Sequence, residues 1–184
     1  MQGLQRPIVA ATFLALTVTG CATTMTVSSH VAPTADFARY RSYDWGPADA
    51  LPTGDPRLDK NPYFQDYLQG AIERQFARRG FEKSTSGTPD LLIHYHANVT
   101  QRLDVNGVDR ERGYCYGDDC LAVVGEYEAG TIVLDIVDTR TNKLVWRGWA
   151  QDSLEGVIGS QDRMERKIDE AIPRMFQRLP LGRY

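Results

Sequence analysis

Gly130-Thr131-Ile132-Val133-Leu134-Asp135-Ile136-Val137-Asp138 decides the fold class, read together with the residues after it: Thr139-Arg140-Thr141-Asn142, then Lys143-Leu144-Val145-Trp146-Arg147-Gly148-Trp149-Ala150-Gln151-Asp152-Ser153-Leu154. The first run is rich in β-branched residues. Extended, it places Ile132, Leu134 and Ile136 on one face and Val133 and Val137 on the other. Apolar side chains on both faces predict a strand inside a sheet rather than at its edge. The four polar residues make a turn, and the second run returns antiparallel as a hairpin partner. This hairpin alone excludes a coiled coil or an all-helical bundle.

Upstream, Asp90 to Arg102 reads as a long strand, with Leu91, Ile93, Tyr95 and Ala97 on one face and Leu92, His94, His96 and Asn98 on the other. Asp104 to Asp119 is a polar, glycine-containing excursion. A helix begins at Asn61 as N-cap with Pro62 in its first turn. Phe64, Tyr67, Leu68, Ala71, Ile72 and Phe76 repeat at helical spacing. Arg74, Arg78 and Arg79 suit the negative end of that helix, and Gly80 caps it. Phe81-Glu82-Lys83 forms a short strand or linker. Gly46 to Asp59, with Pro47, Pro52 and Pro56, reads as a loop. Thr26 to Val31 and Tyr40 to Trp45 are strand candidates near the start, with a short turn at Phe37. At the other end, Met164, Ile168, Ile172, Met175, Phe176 and Leu179 stripe a helix from Ser160 to Leu179, which Pro173 should kink or interrupt. The order predicts an α+β fold: an antiparallel sheet of about four to six strands with two amphipathic helices packed on one face.

The first 21 residues predict location. Arg6 lies in a modestly positive start, and Ile8 to Thr19 is an apolar run too short to span a bilayer. Val18-Thr19-Gly20-Cys21 resembles a bacterial lipobox, in which the leader is cut before the cysteine and the thiol carries lipid. The competing reading is an ordinary cleaved signal with an incidental cysteine. On the lipobox reading, residues 1–20 are a lipoprotein signal peptide, 21–29 the lipidated cysteine and its tether, and 30–184 one α+β domain. Cys21 would carry a diacylglyceryl thioether and an N-acyl chain. More than one chain matters, because a single acyl chain anchors only marginally. Ala22 stands where an aspartate would resemble an inner-membrane retention signal, so the expected place is the outer membrane, facing the periplasm.

The chain has 21 basic and 24 acidic residues and a net charge of −3. That balance argues against a nucleic-acid binder, which needs a basic stripe to neutralise phosphates. Of three cysteines, Cys21 is taken by lipid, leaving Cys115 and Cys120 in the turn-rich Cys115-Tyr116-Gly117-Asp118-Asp119-Cys120. In an oxidising compartment they are expected to form a disulfide, contributing ~2 kcal/mol for so short a loop. A redox pair or half a zinc site are the rivals; the first more often has two intervening residues, and the second needs two more ligands.

Taken in order, Asp36-Phe37 with Tyr40-Arg41-Ser42-Tyr43-Asp44-Trp45, Ala77-Arg78-Arg79-Gly80-Phe81, Pro89 to His96, Gly130 to Asp138, and Lys143 to Gly148 resemble a bacterial lipoprotein family, domain-of-unknown-function family 4136. The resemblance runs from about residue 25 to 180. It implies a lipid-anchored envelope protein and brings no activity, cofactor or catalytic residue. The Cys115–Cys120 excursion lies outside the pattern.

Other chemistry is sparse. His94 and His96 share a strand face and are weak candidate metal ligands, but a site needs a third group from His30, the cysteines or an acid. Asp118, Asp119, Glu126 and Glu128 are an acidic cluster without EF-hand spacing, better read as a solvated turn. Gly159-Ser160 lacks a nucleophile motif, and an N-cap is its simpler role. Trp146 and Trp149, three apart on a strand, must face opposite sides, so at most one lies in the helix-covered core. The expectation is a non-enzymatic, lipid-anchored envelope protein that binds an unknown envelope partner or supports an assembly, with no cofactor. The alternatives are an envelope hydrolase or metal-binding protein using His94 and His96, or a carrier of a small ligand or lipid in a groove between sheet and helices.

Overall fold

The hairpin forms the centre of a six-stranded sheet. In chain order the strands are β1 (Thr26–Val31), β2 (Ser42–Trp45), β3 (Glu82–Lys83), β4 (Leu91–Asp104), β5 (Gly125–Asp138) and β6 (Lys143–Ser153), and across the sheet they lie β1-β6-β5-β4-β2-β3. The computed structural model describes residues 25–47, 55–104 and 125–180. Cys21, Cys115, Cys120, Asp118, Asp119 and the leader lie outside the described residues. Strand β5 sits between β4 and β6, as its two apolar faces predict. The first strand starts at Thr26, and Met25 before it is already 5% exposed. Thr26 to Val31, a strand candidate in the sequence, is paired along its whole length with β6, so the sheet takes in residues 26–29 of the stretch that also reads as a tether.

The all-antiparallel expectation is corrected. β1, β6, β5 and β4 are antiparallel neighbours, but β2 runs parallel to both β4 and β3. The cause is the connection. From β2 the chain crosses through α1 (Pro56–Asp59) and α2 (Pro62–Ala77), and a helical crossover returns it in its original direction. The one-turn α1 falls in a stretch expected to be a loop. Its Asp55 accepts a hydrogen bond from the Arg57 N–H at 2.8 Å, with Pro56 in the first turn.

Helix α2 starts where expected, the Asn61 side chain accepting from the Phe64 N–H. It ends in a Schellman motif: the Phe81 N–H donates to Phe76 and the Gly80 N–H to Ala77, with Gly80 at φ 77°. Helix α3 (Gln161–Phe176) has Ser160 at its N-cap position, yet the hydroxyl makes no capping bond. Pro173 does not end it; the helix continues to Phe176. The two long helices run parallel. Tyr63 donates to Glu165, the Tyr67 hydroxyl to Asp169 at 2.7 Å, and further along Phe76 meets Phe176 edge to face.

Both helices cover the face that carries Tyr43, Leu91, Ile93, Leu134, Ile136, Trp146 and Ala150, all of them buried. Phe76 is the hub, stacked on Tyr43 with ring centroids 4.5 Å apart and in edge contact with Phe81 at 5.5 Å and Phe176 at 5.0 Å. A register shift between Ile136 and Val137 gives β6 one extra residue, which lets the adjacent Val145 and Trp146 both be buried. The Trp146 indole lies across Gly148, where any Cβ would collide with the ring.

Candidate functional site

Among the described residues, the other sheet face carries no helix. Its side chains follow from the register in rows across the strands: Leu92, Val137 and Leu144; then His94, Asp135, Arg147 and His30; then His96, Val133, Trp149 and Ser28. Trp146 and Trp149 thus divide as expected, the first fully buried under the helices and the second half-buried on the open face. Trp45 also lies on the helix side, donating its indole N–H to Glu73 at 2.8 Å.

The centre of this face is an ion pair. Arg147 donates from Nε and Nη2 to the two carboxylate oxygens of Asp135, at 2.6 and 2.5 Å. Asp135 is 7% exposed. This bidentate contact raises the Arg147 pKa above its ordinary value. Arg147→Ala strands a buried carboxylate and is expected to lower the unfolding free energy by about 2 kcal/mol, at the low end because the guanidinium is half in solvent. Adding Asp135→Ala should recover most of the loss, which a double-mutant cycle by urea unfolding measures.

His94 and His96 share the open face, as predicted. The His94 ring lies over the backbone of Gly46, where an added Cβ would collide with it. His30 sits on β1, three strands from β4, a separation of ~14 Å at normal strand spacing. It cannot join the other two. Among the described residues no group of three His, Cys, Asp or Glu could hold a metal ion. Of the acidic cluster, Glu128 accepts from Arg57 Nη2 at 2.7 Å, and the same arginine holds Asp55 below the usual carboxylate range.

Beneath the sheet, between it and α3, is a cavity of about 60 Å³ lined by Met25, Leu58, Phe64, Ile132, Leu154 and Ile168 among others, with the Lys167–Asp152 pair beside it. A dry apolar cavity that admits benzene is ~150 Å³. An acyl chain does not fit this one as the side chains stand.

The comparisons bear on fold and family. No curated protein matches the sequence. A PDZ domain protein from Parabacteroides distasonis is similar at TM-score 0.57 and 14% identity over 87% of this chain, which spans 37% of that protein's length. Two structures of the PelC dodecamer from Paraburkholderia phytofirmans align at TM-scores of 0.45 and 0.47, with 11% and 10% identity, over 87% of this chain and all of theirs. The first likeness is one of fold alone. The family model for DUF4136, a domain of unknown function, matches residues 27–181, and the chain belongs to that family.

Proposed function

We propose that this protein is a lipid-anchored component of the bacterial cell envelope, held through Cys21 and facing the periplasm from the outer membrane, where it binds a partner or supports an assembly rather than catalysing a reaction. The observation that carries the reading is how soon folded structure comes after the lipobox. Met25 is buried only four residues after Cys21, and Thr26 is already paired in β1. Four residues span at most ~14 Å. A domain on so short a leash stays at the membrane surface, suited to holding one place rather than roaming. Its second face supports a binding role, since Trp149 and the Arg147–Asp135 pair stand on a sheet face that no helix of the described residues covers.

Crosslinking in intact cells followed by mass spectrometry tests this, on wild type and on Cys21→Ala. The wild type should fractionate with membranes and give a reproducible set of envelope crosslinks. Cys21→Ala should lose both. A measured turnover with no reproducible partner would overturn the reading.

A further inference from the structure

We infer that the end of the domain opposite the chain's entry is a docking surface for a carboxylate-rich segment of another envelope protein; the inference rests on the anchored-envelope reading above. Strand β1 enters at Thr26, opposite Gln151, and reaches Val31, opposite Trp146. Beyond Val31 lie the 138–143 turn and the C-terminal ends of both long helices, since the Trp146 indole N–H reaches the Arg178 carbonyl and Phe76 meets Phe176. A leash that begins at Met25 thus leaves this end pointing away from the membrane.

The surface at this end is predominantly cationic. Its two best-held carboxylates are turned inward. Asp138, 3% exposed, accepts from the Tyr40 hydroxyl, from Arg39, and from the N–H groups of Arg140 and Thr141. Asp90 accepts from the N–H groups of Arg41 and Ser42 and from the Ser42 hydroxyl. Six cations of the described residues face outward, Arg39, Arg41, Arg78, Arg140, Lys143 and Arg178, against two exposed carboxylates, Asp36 and Glu82. Arg41 Nη1 spends its hydrogen bonds on the carbonyls of Ala38 and Tyr40 and makes no ion pair among the described residues. The Arg41 and Ser42 N–H groups hold the nearby Asp90 carboxyl below the usual carboxylate range, and the Arg41 charge adds to their effect. Among the described residues no carboxylate pairs with Arg78, Lys143 or Arg178.

Service to the helix dipoles explains only part of this. Each α-helix C-terminus carries about half a negative charge, felt within its last turn; Arg41, Arg140 and Lys143 lie on the sheet and its turns instead, and Arg39 ends the single 3₁₀ turn Phe37–Arg39. Five of the six cations are arginine, whose planar fork matches carboxylates two bonds at a time. An acidic glycan fits less well, because glycan grooves use exposed aromatic faces and Phe37, Tyr40, Tyr43 and Phe81 at this end are all buried. A membrane surface fits less well because the anchor is at the other end.

The test uses full-length exported protein and labelled polyglutamate, with polygalacturonate and phosphatidylglycerol vesicles as competing probes. The wild type should bind polyglutamate, and more weakly as ionic strength rises. Arg78→Glu with Arg140→Glu and Arg178→Glu should weaken binding at least tenfold while the protein stays folded, its melting temperature lowered by several degrees through the lost helix-end charges. The matching reversal at the entry end, Lys60→Glu with Arg163→Glu and Arg166→Glu, should leave it unchanged. Should charge reversal impair folding, Arg→Gln at the same three positions should still weaken binding several-fold. No binding to polyglutamate, equal loss in the entry-end control, or binding only to the glycan or the vesicles would overturn the inference. Membrane fractionation of the same samples separates the two readings: an anchored protein that ignores polyglutamate removes only the docking surface, and an unanchored one that binds it removes only the anchor.

Discussion

Phe76→Ala should cost about 4 kcal/mol of unfolding free energy, more than any other single truncation in this core. Phe76 is fully buried and is the one ring in contact with Tyr43 of β2, Phe81 after α2, and Phe176 of α3. Truncation removes the transfer free energy of a buried aromatic and three ring contacts, and leaves a cavity that rigid neighbours on three elements cannot fill. For a domain of this size the melting temperature should fall by about 10 °C. Phe76→Leu, which keeps most of the volume, should cost less than half as much. Urea unfolding of the three proteins checks both statements, and equal losses for alanine and leucine would mean the ring contacts contribute little.

Asp138→Ala should cost about 3 kcal/mol, by a different route. The substitution strands the buried Tyr40 hydroxyl and the N–H groups of Arg140 and Thr141 at once, and frees Arg39. The pH dependence has a definite sign. Burial pushes the Asp138 carboxyl up, but the Tyr40 hydroxyl, the Thr141 N–H, Arg39 and the Arg140 N–H outweigh it and hold the pKa below the usual carboxylate range. Tyr40 is correspondingly pushed up, first by burial and then by its bond to Asp138. A carboxyl depressed in the folded state contributes stability above its unfolded pKa of ~3.9 and loses it as pH falls through the lower folded value. The gap between wild type and Asp138→Ala should therefore be full from about pH 5 to 8 and should narrow below about pH 4. A gap that does not change with pH would count against the role given to the ionised carboxyl.

Much of this was legible in the residues. Asn61-Pro62 and Gly80 bracket α2 because caps are chemistry local to a few residues, and the two apolar faces of Ile132 to Val137 place β5 inside the sheet. Strand direction was not legible from periodicity, which reads the same forwards and backwards. The clue to the parallel pairing of β2 and β4 lay in the helix between them. Asp55-Pro56 held the start signal of α1, but a one-turn helix has no periodicity to support it. The ion pair on the open face was hidden for another reason. With a four-residue turn at 139–142 and no bulge, Asp135 would oppose Trp146. The register shift after Ile136 moves it opposite Arg147. One extra residue in β6 thus builds the central pair of that face, and neither strand announces it. The two histidines share a face, as strand alternation requires, yet sharing a face does not bring a third ligand.

The functional proposal depends on Cys21 becoming the first residue of a lipid-anchored protein whose folded domain begins four residues later. The decisive measurement is the intact mass of the mature protein and of its N-terminal peptide, purified from membranes. The expected result is a chain beginning at Cys21 and carrying the added mass of a diacylglyceryl group and an N-linked acyl chain. A chain that still begins at Met1, or one cut elsewhere with Cys21 unmodified, would rule the anchor out.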